Sequence, residues 1–141
     1  MIIIDSKSST PIYEQITIGI KELILKNVIR SGDKLPSVRE LSTILTINPN
    51  TVSKAYMELE KQNIVESIKG KGTFITRDYR KPVSEEKISK LILDFKRLIL
   101  EANYLGLEEN DLILLLDEGF KEIRGGIWND RIKELFLKLW R

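Results

Sequence analysis

The stretch from Ser37 to Thr76 constrains the fold more than any other part of the chain, because it joins two short helical patterns to two β-branched runs around a basic, glycine-bearing tip. Ser37 is an N-cap candidate, and Glu40, three residues on, is the acid that would close a capping box with it. Val38, Leu41, Ile44 and Leu45 follow as the inward residues of a helix of about ten residues. A second start signal comes at once. Asn48 is a good N-cap, and Pro49 fits the first helical position, where no amide donor is needed. Val52, Ala55, Tyr56 and Leu59 then form one inward stripe, with Asn50, Ser53, Lys54 and Met57 on the other face. Asn63 marks a stop. Residues 64–68 and 73–76 flank Lys69-Gly70-Lys71-Gly72, the pattern of a hairpin with a permissive basic turn.

Upstream, Ile12, Ile16, Ile20, Leu23, Ile24 and Val28 recur at helical spacing, with Pro11 suited to a first helical position after Thr10. This helix is expected to end before Ser31-Gly32-Asp33. The resulting order, a helix, two short helices joined by a tight turn and a basic hairpin, is that of a winged helix-turn-helix. The last of the three helices is thin enough to enter a major groove, where the exposed Asn50 can pair bidentately with adenine. Its N-terminal amides favour a nearby phosphate.

Composition narrows the function. With 141 residues, 42% apolar and 31% charged, the chain has room for one ordinary domain, or a small one with an accessory piece. It contains no Cys and no His, which removes disulfides, thiol nucleophiles, Cys/His zinc sites and Ser-His-Asp triads. No acid-base pair or cofactor loop stands out, so no enzyme and no cofactor is expected. Gly70 and Gly72 lie between strands rather than before a helix and lack the Gly-Lys-Ser/Thr ending of a phosphate loop. Asp5 interrupts the apolar start too early for a signal peptide, and residues 112–116 are too short a run to span a bilayer. A cytoplasmic protein without membrane contact is expected. The net charge of +2 selects no partner, but residues 1–80 carry twelve basic and nine acidic side chains, against eleven and twelve in residues 81–141.

The polar, Pro-punctuated stretch between Ile75 and Ser84 reads as a linker, which we place at residues 78–84, between domains at 1–77 and 85–141. The second region is helical throughout. Ile88, Leu91, Ile92, Phe95, Leu98, Ile99 and Ala102 form one stripe closed by Gly106. Leu112, Leu115, Leu116, Phe120 and Ile123 form another, stopped at Gly125-Gly126, and Trp128, Ile132, Leu135, Phe136, Leu139 and Trp140 suggest a third. About sixty residues rarely bury enough apolar surface unaided, so these stripes are expected to be shared across a homodimer, through Leu91, Ile92, Phe95, Leu98, Ile99, Leu112, Leu115, Leu116 and Phe120. Phe95, Tyr104, Phe120, Trp128 and Trp140 are either core or the lining of an effector cavity, and core is the default. Glu108, Glu109 and Asp111 are explained as first-turn residues of a helix rather than as a metal site.

Three blocks carry a family resemblance: Leu35-Pro36-Ser37-Val38-Arg39-Glu40-Leu41-Ser42, then Asn48-Pro49-Asn50-Thr51-Val52-Ser53-Lys54-Ala55-Tyr56, then Gly70-Lys71-Gly72-Thr73-Phe74. In order and spacing they resemble the GntR superfamily of bacterial transcription regulators, over about residues 10 to 77. The short tail resembles that of the YtrA branch, whose members dimerise through a few C-terminal helices and commonly repress operons for ABC-type transporters. The tail runs one helix longer than usual, and no role is read for residues 127–141. The resemblance implies DNA contacts from Arg39, Asn48, Asn50, Thr51, Ser53, Lys69 and Gly70; Lys54 and Lys71 join them as phosphate contacts on position and charge. Relatives place arginines where this chain has Pro49 and Ser53, so their base-reading pattern does not transfer. The expectation is a homodimer on an inverted repeat of double-stranded DNA. The alternative is a winged-helix protein-assembly module that binds no DNA, for which the acidic Glu58, Glu60 and Glu66 speak. Any effector, the operator and the regulated genes are not written in the sequence.

Overall fold

The computed structural model describes residues 2–77 and 84–125, so the 78–83 part of the expected linker and the helix expected over 128–140 lie outside the described residues. The described chain forms two compact units. The first holds α1 (Ile12–Leu25), α2 (Val38–Leu45), α3 (Pro49–Lys61) and a hairpin of β1 (Val65–Ile68) and β2 (Gly72–Ile75). The second holds α4 (Glu85–Tyr104) and α5 (Glu109–Gly125). The fold is mainly α with a small hairpin, a winged helix-turn-helix followed by a helical region.

Local chemistry sets the helix starts. At α2 the Ser37 hydroxyl accepts from the Glu40 amide at 3.1 Å, and the Glu40 carboxylate accepts from the Ser37 amide at 2.9 Å, the full capping box. At α3 the Asn48 Oδ1 accepts from the Asn50 amide at 2.8 Å, with Pro49 first in the helix. Pro11 departs from the expectation. It is the residue before α1 rather than the first within it, and the Gln15 side chain ties down the segment that leads in, donating to the Thr10 and Asp5 carbonyls at 2.8 and 2.9 Å.

The helix ends share one device. Asn27, Thr46, Asn63 and Gly106 each take a positive φ, and in each case the next amide reaches back to the carbonyl five residues earlier, as in Val28 to Leu23 and Ile47 to Ser42. This is why α1 ends at Leu25, and why Val28 packs from the turn rather than from the helix. Thr46 is the odd member, because a β-branched residue is strained there.

The first unit's core takes Ile16, Ile20, Leu23 and Ile24 from α1, Leu41 from α2, Val52, Ala55, Tyr56 and Leu59 from α3, and Val65 and Ile75 from the hairpin. Ile2 joins them from the N-terminal segment. A Cβ at Gly19 would stand 2.7 Å from the Ile2 Cγ1, so a mid-helix glycine, ordinarily unfavourable, makes room for that docking. The antiparallel hairpin pairs Val65 with Ile75 through Ile68 with Gly72. A third edge lies against β2 without a strand signal in the sequence: Leu35 donates to the Thr73 carbonyl and Ile75 to that of Asp33, both at 2.8 Å, and Lys34 bridges Phe74.

In the second unit, α4 begins at the Ser84 cap, and in the first turn of α5 the Asp111 carboxylate accepts from the Glu108 amide at 2.8 Å. That bond gives Asp111 a capping role. No described residue of α4 or α5 is buried. Leu91 is 68% exposed, and Phe95, Leu98, Ile99, Leu115, Leu116 and Phe120 are exposed as well. Between the helices Phe95, Leu98, Ile99, Leu112, Leu115 and Phe120 line an open apolar hollow of about 1110 Å³. Tyr104 is 90% exposed among the described residues.

Candidate nucleic-acid interface

The candidate interface is built on α3, which packs against α1 and α2. Its inner stripe, Val52, Ala55, Tyr56 and Leu59, is buried, which turns Asn50, Lys54 and Met57 outward. Tyr56 fixes the helix against the start of α2: its hydroxyl donates to the Pro36 carbonyl at 2.7 Å in a buried bond. Burial, with the Glu40 charge in second place, pushes that hydroxyl far above its ordinary pKa, so it stays a neutral donor.

Each sequence-predicted contact has a defined place. Asn50 is exposed on the second residue of α3, and among the described residues no hydrogen bond engages its side chain. Asn48 is a cap whose Oδ1 is occupied while its amide N–H groups are not. Thr51 and Ser53 are half-buried on the flanks of the outer stripe. Arg39, exposed on the second residue of α2, has its carbonyl held by the Ser42 and Thr43 hydroxyls, and among the described residues its guanidinium has no ion pair. At the wing tip Lys69, Gly70 and Lys71 are exposed; the Lys71 amide closes the turn on the Ile68 carbonyl at 3.0 Å, with Gly70 at φ +77°.

Two side chains that the sequence reading did not single out belong to this surface. Lys34 lies across Gly72, where a Cβ would stand 2.8 Å from its Cε, so the glycine's φ of +119° and its lack of a side chain both serve the wing. A third lysine side chain therefore lies along the wing, next to the turn that carries Lys69 and Lys71. Tyr13, at the start of α1, lies under Lys54, whose Nζ stands 4.0 Å from the ring centroid. Nothing local in the sequence signals either residue, because the bridge from Lys34 to Phe74 and the contact of Tyr13 with Lys54 both join distant segments. Among the described residues no group of three His, Cys, Asp or Glu side chains is arranged to hold a metal, and no helix is long and apolar enough to cross a membrane.

Comparison with known proteins bears on this geometry. Residues 12–75 match the model of the gntR family of bacterial regulatory proteins. The chain is 48% identical over 130 residues to the HTH-type transcriptional repressor YtrA of Bacillus subtilis, a match that spans 92% of this chain and all of that protein. The chain belongs to the gntR family. Within the family it is a YtrA-type transcriptional regulator, with the DNA-binding winged helix-turn-helix that the three sequence blocks imply. Two solved structures extend the likeness into the second unit. A Listeria monocytogenes protein described as a transcriptional antiterminator superposes with a TM-score of 0.83 at 44% identity, covering 89% of this chain and 94% of its own. YtrA from Sulfolobus acidocaldarius gives 0.57 at 35% identity, covering 68% and 97%. These gntR-type relatives are regulators of transcription rather than enzymes.

Proposed function

We propose that the protein is a homodimeric repressor that binds an inverted-repeat operator and shuts off an operon for an ABC-type transporter. One observation carries the reading: α3 holds its outer face open, with Asn50 unengaged among the described residues and lysines at the wing beside it, in a chain that matches a YtrA repressor over that repressor's whole length. Asn50 reads base edges, while Arg39, Lys54, Lys69 and Lys71 neutralise phosphates and give affinity. Asn48, Thr51, Ser53 and Gly70 fix the approach of backbone to backbone. Repression then follows from exclusion of polymerase, without chemistry, in the cytoplasm where the chromosome lies.

The dimer is supported by energetics. Two helices with no buried described residue and an apolar hollow between them do not form a stable core by themselves, and a second copy supplies the missing cover. Leu91, Ile92, Phe95, Leu98, Ile99, Leu112, Leu115, Leu116 and Phe120 are the residues it covers, and the two recognition helices then lie about one turn of DNA apart. On this reading the hollow belongs to the interface, and Phe95 and Phe120 are its core rather than the walls of an effector site.

The test compares wild type and Asn50→Ala on a library of duplex DNA. The variant is expected to lose about 1–3 kcal/mol on preferred sequences and to relax its preference at one base pair in each half-site. A site profile unchanged by the substitution removes Asn50 from base reading. Salt-insensitive retention by both proteins points instead to a protein-assembly module.

A further inference from the structure

We infer that Tyr13, which lies outside the recognition helix, is a positioning residue that holds the Lys54 ammonium in place for a DNA phosphate; this rests on the proposed role of Lys54 in DNA binding. Lys54 projects from the outer stripe of α3 and is exposed, with its Nζ 4.0 Å from the Tyr13 ring centroid, inside cation–π range. The ring itself is fixed. Tyr13 is half-buried on the second residue of α1, and its hydroxyl donates to the Glu14 carboxylate at 2.9 Å. That hydrogen bond, followed by burial and the Glu14 and Glu58 charges, raises the hydroxyl's pKa, so the phenol remains neutral and keeps donating.

The choice of partner is the informative part. Glu58 stands four residues after Lys54 on the same helix, the ordinary spacing for an ion pair. Instead, the Glu58 carboxylate accepts from the Gln62 side chain at 3.0 Å, and among the described residues Lys54 forms no ion pair. A carboxylate would orient the ammonium and cancel its charge. An aromatic face orients it and leaves the charge whole, with N–H donors still turned to solvent. A flexible lysine is thereby restricted before it meets a phosphate, which lowers the ordering cost of that contact.

The experiment has two stages, with thermal unfolding as a control for folding. In the DNA-free protein, NMR should place the Lys54 side-chain protons upfield, under the ring current, in wild type and Tyr13→Phe, and return them to ordinary positions in Tyr13→Leu. Binding to a mixed-sequence duplex is then measured across a salt series. Tyr13→Leu is expected to bind about two- to fivefold more weakly, with Tyr13→Phe restoring the affinity. Lys54→Ala should lower the salt slope by about 0.9, Tyr13→Leu by no more than that, and the double variant should lose nothing further. A Tyr13→Leu protein that binds like wild type, or that loses as much again in the Lys54→Ala background, overturns the positioning role alone. A Lys54→Ala protein with wild-type affinity and slope overturns the phosphate role of Lys54, and the inference falls with it.

Discussion

Tyr56 and Asn50 sit on opposite faces of α3, and the buried one determines what the exposed one can do. The Tyr56 hydroxyl is the donor to a buried Pro36 carbonyl, so Tyr56→Phe leaves that acceptor unpaired and should cost about 1–3 kcal/mol by denaturant titration. A pH signature accompanies it. Because burial raises the hydroxyl's folded pKa above its unfolded value of 10.0, the folded state holds its proton more tightly. The contribution is therefore intact below pH 10 and is lost as pH rises above it, at up to about 1.4 kcal/mol per pH unit. Tyr56→Phe should show a shallower decline than wild type over that range; equal slopes would contradict the assignment. The caps at Ser37 and Asn48 and the inward stripe of α3 were legible from sequence, because each depends on neighbours within a turn. The Tyr13–Lys54 contact and the reach of Lys34 over Gly72 were not, since they join residues that only the packed fold brings together.

At the scale of elements, the turn between α2 and α3 carries strain that the sequence did not announce. Thr46 holds a φ of +55° so that Ile47 can bond back to Ser42 and deliver the chain to the Asn48 cap. A left-handed conformation costs a non-glycine residue about 1–2 kcal/mol, so Thr46→Gly should raise the unfolding free energy by about 1 kcal/mol, glycine's greater freedom in the unfolded chain offsetting the rest. A lower denaturation midpoint would show that the threonine side chain contributes more than its backbone costs. The wing repeats the lesson about range. Its two strands were visible as β-branched runs around glycines, whereas the edge formed by residues 33–35 against β2 is a pairing between distant segments with no local periodicity.

For the whole molecule, the two units differ in how they satisfy burial. The first closes its own core around Ile16, Ile20, Leu23 and Leu59. The second presents α4 and α5 with their apolar stripes open, and these are the faces we propose a second copy covers. Sequence periodicity named those stripes but not their cover, because a 3.6-residue repeat records that a face is apolar and not which chain lies against it. Replacing Leu98 and Phe120 with Glu places charge in the proposed interface. The variant should sediment as a monomer and bind an inverted repeat at least about tenfold more weakly, since each half-site is then held alone. A dimer of undiminished affinity would move the interface elsewhere.

The central claim, a dimeric repressor that reads an inverted repeat near a transporter operon, is tested most directly by genomic selection. Purified protein would be mixed with fragmented DNA of its own genome at physiological salt, and the retained fragments sequenced. The account predicts enrichment of one inverted repeat upstream of an ABC-type transporter operon, with half-sites about one helical turn apart and binding that weakens steeply with added salt. Retention of no preferred sequence, or of single unpaired half-sites, would contradict it.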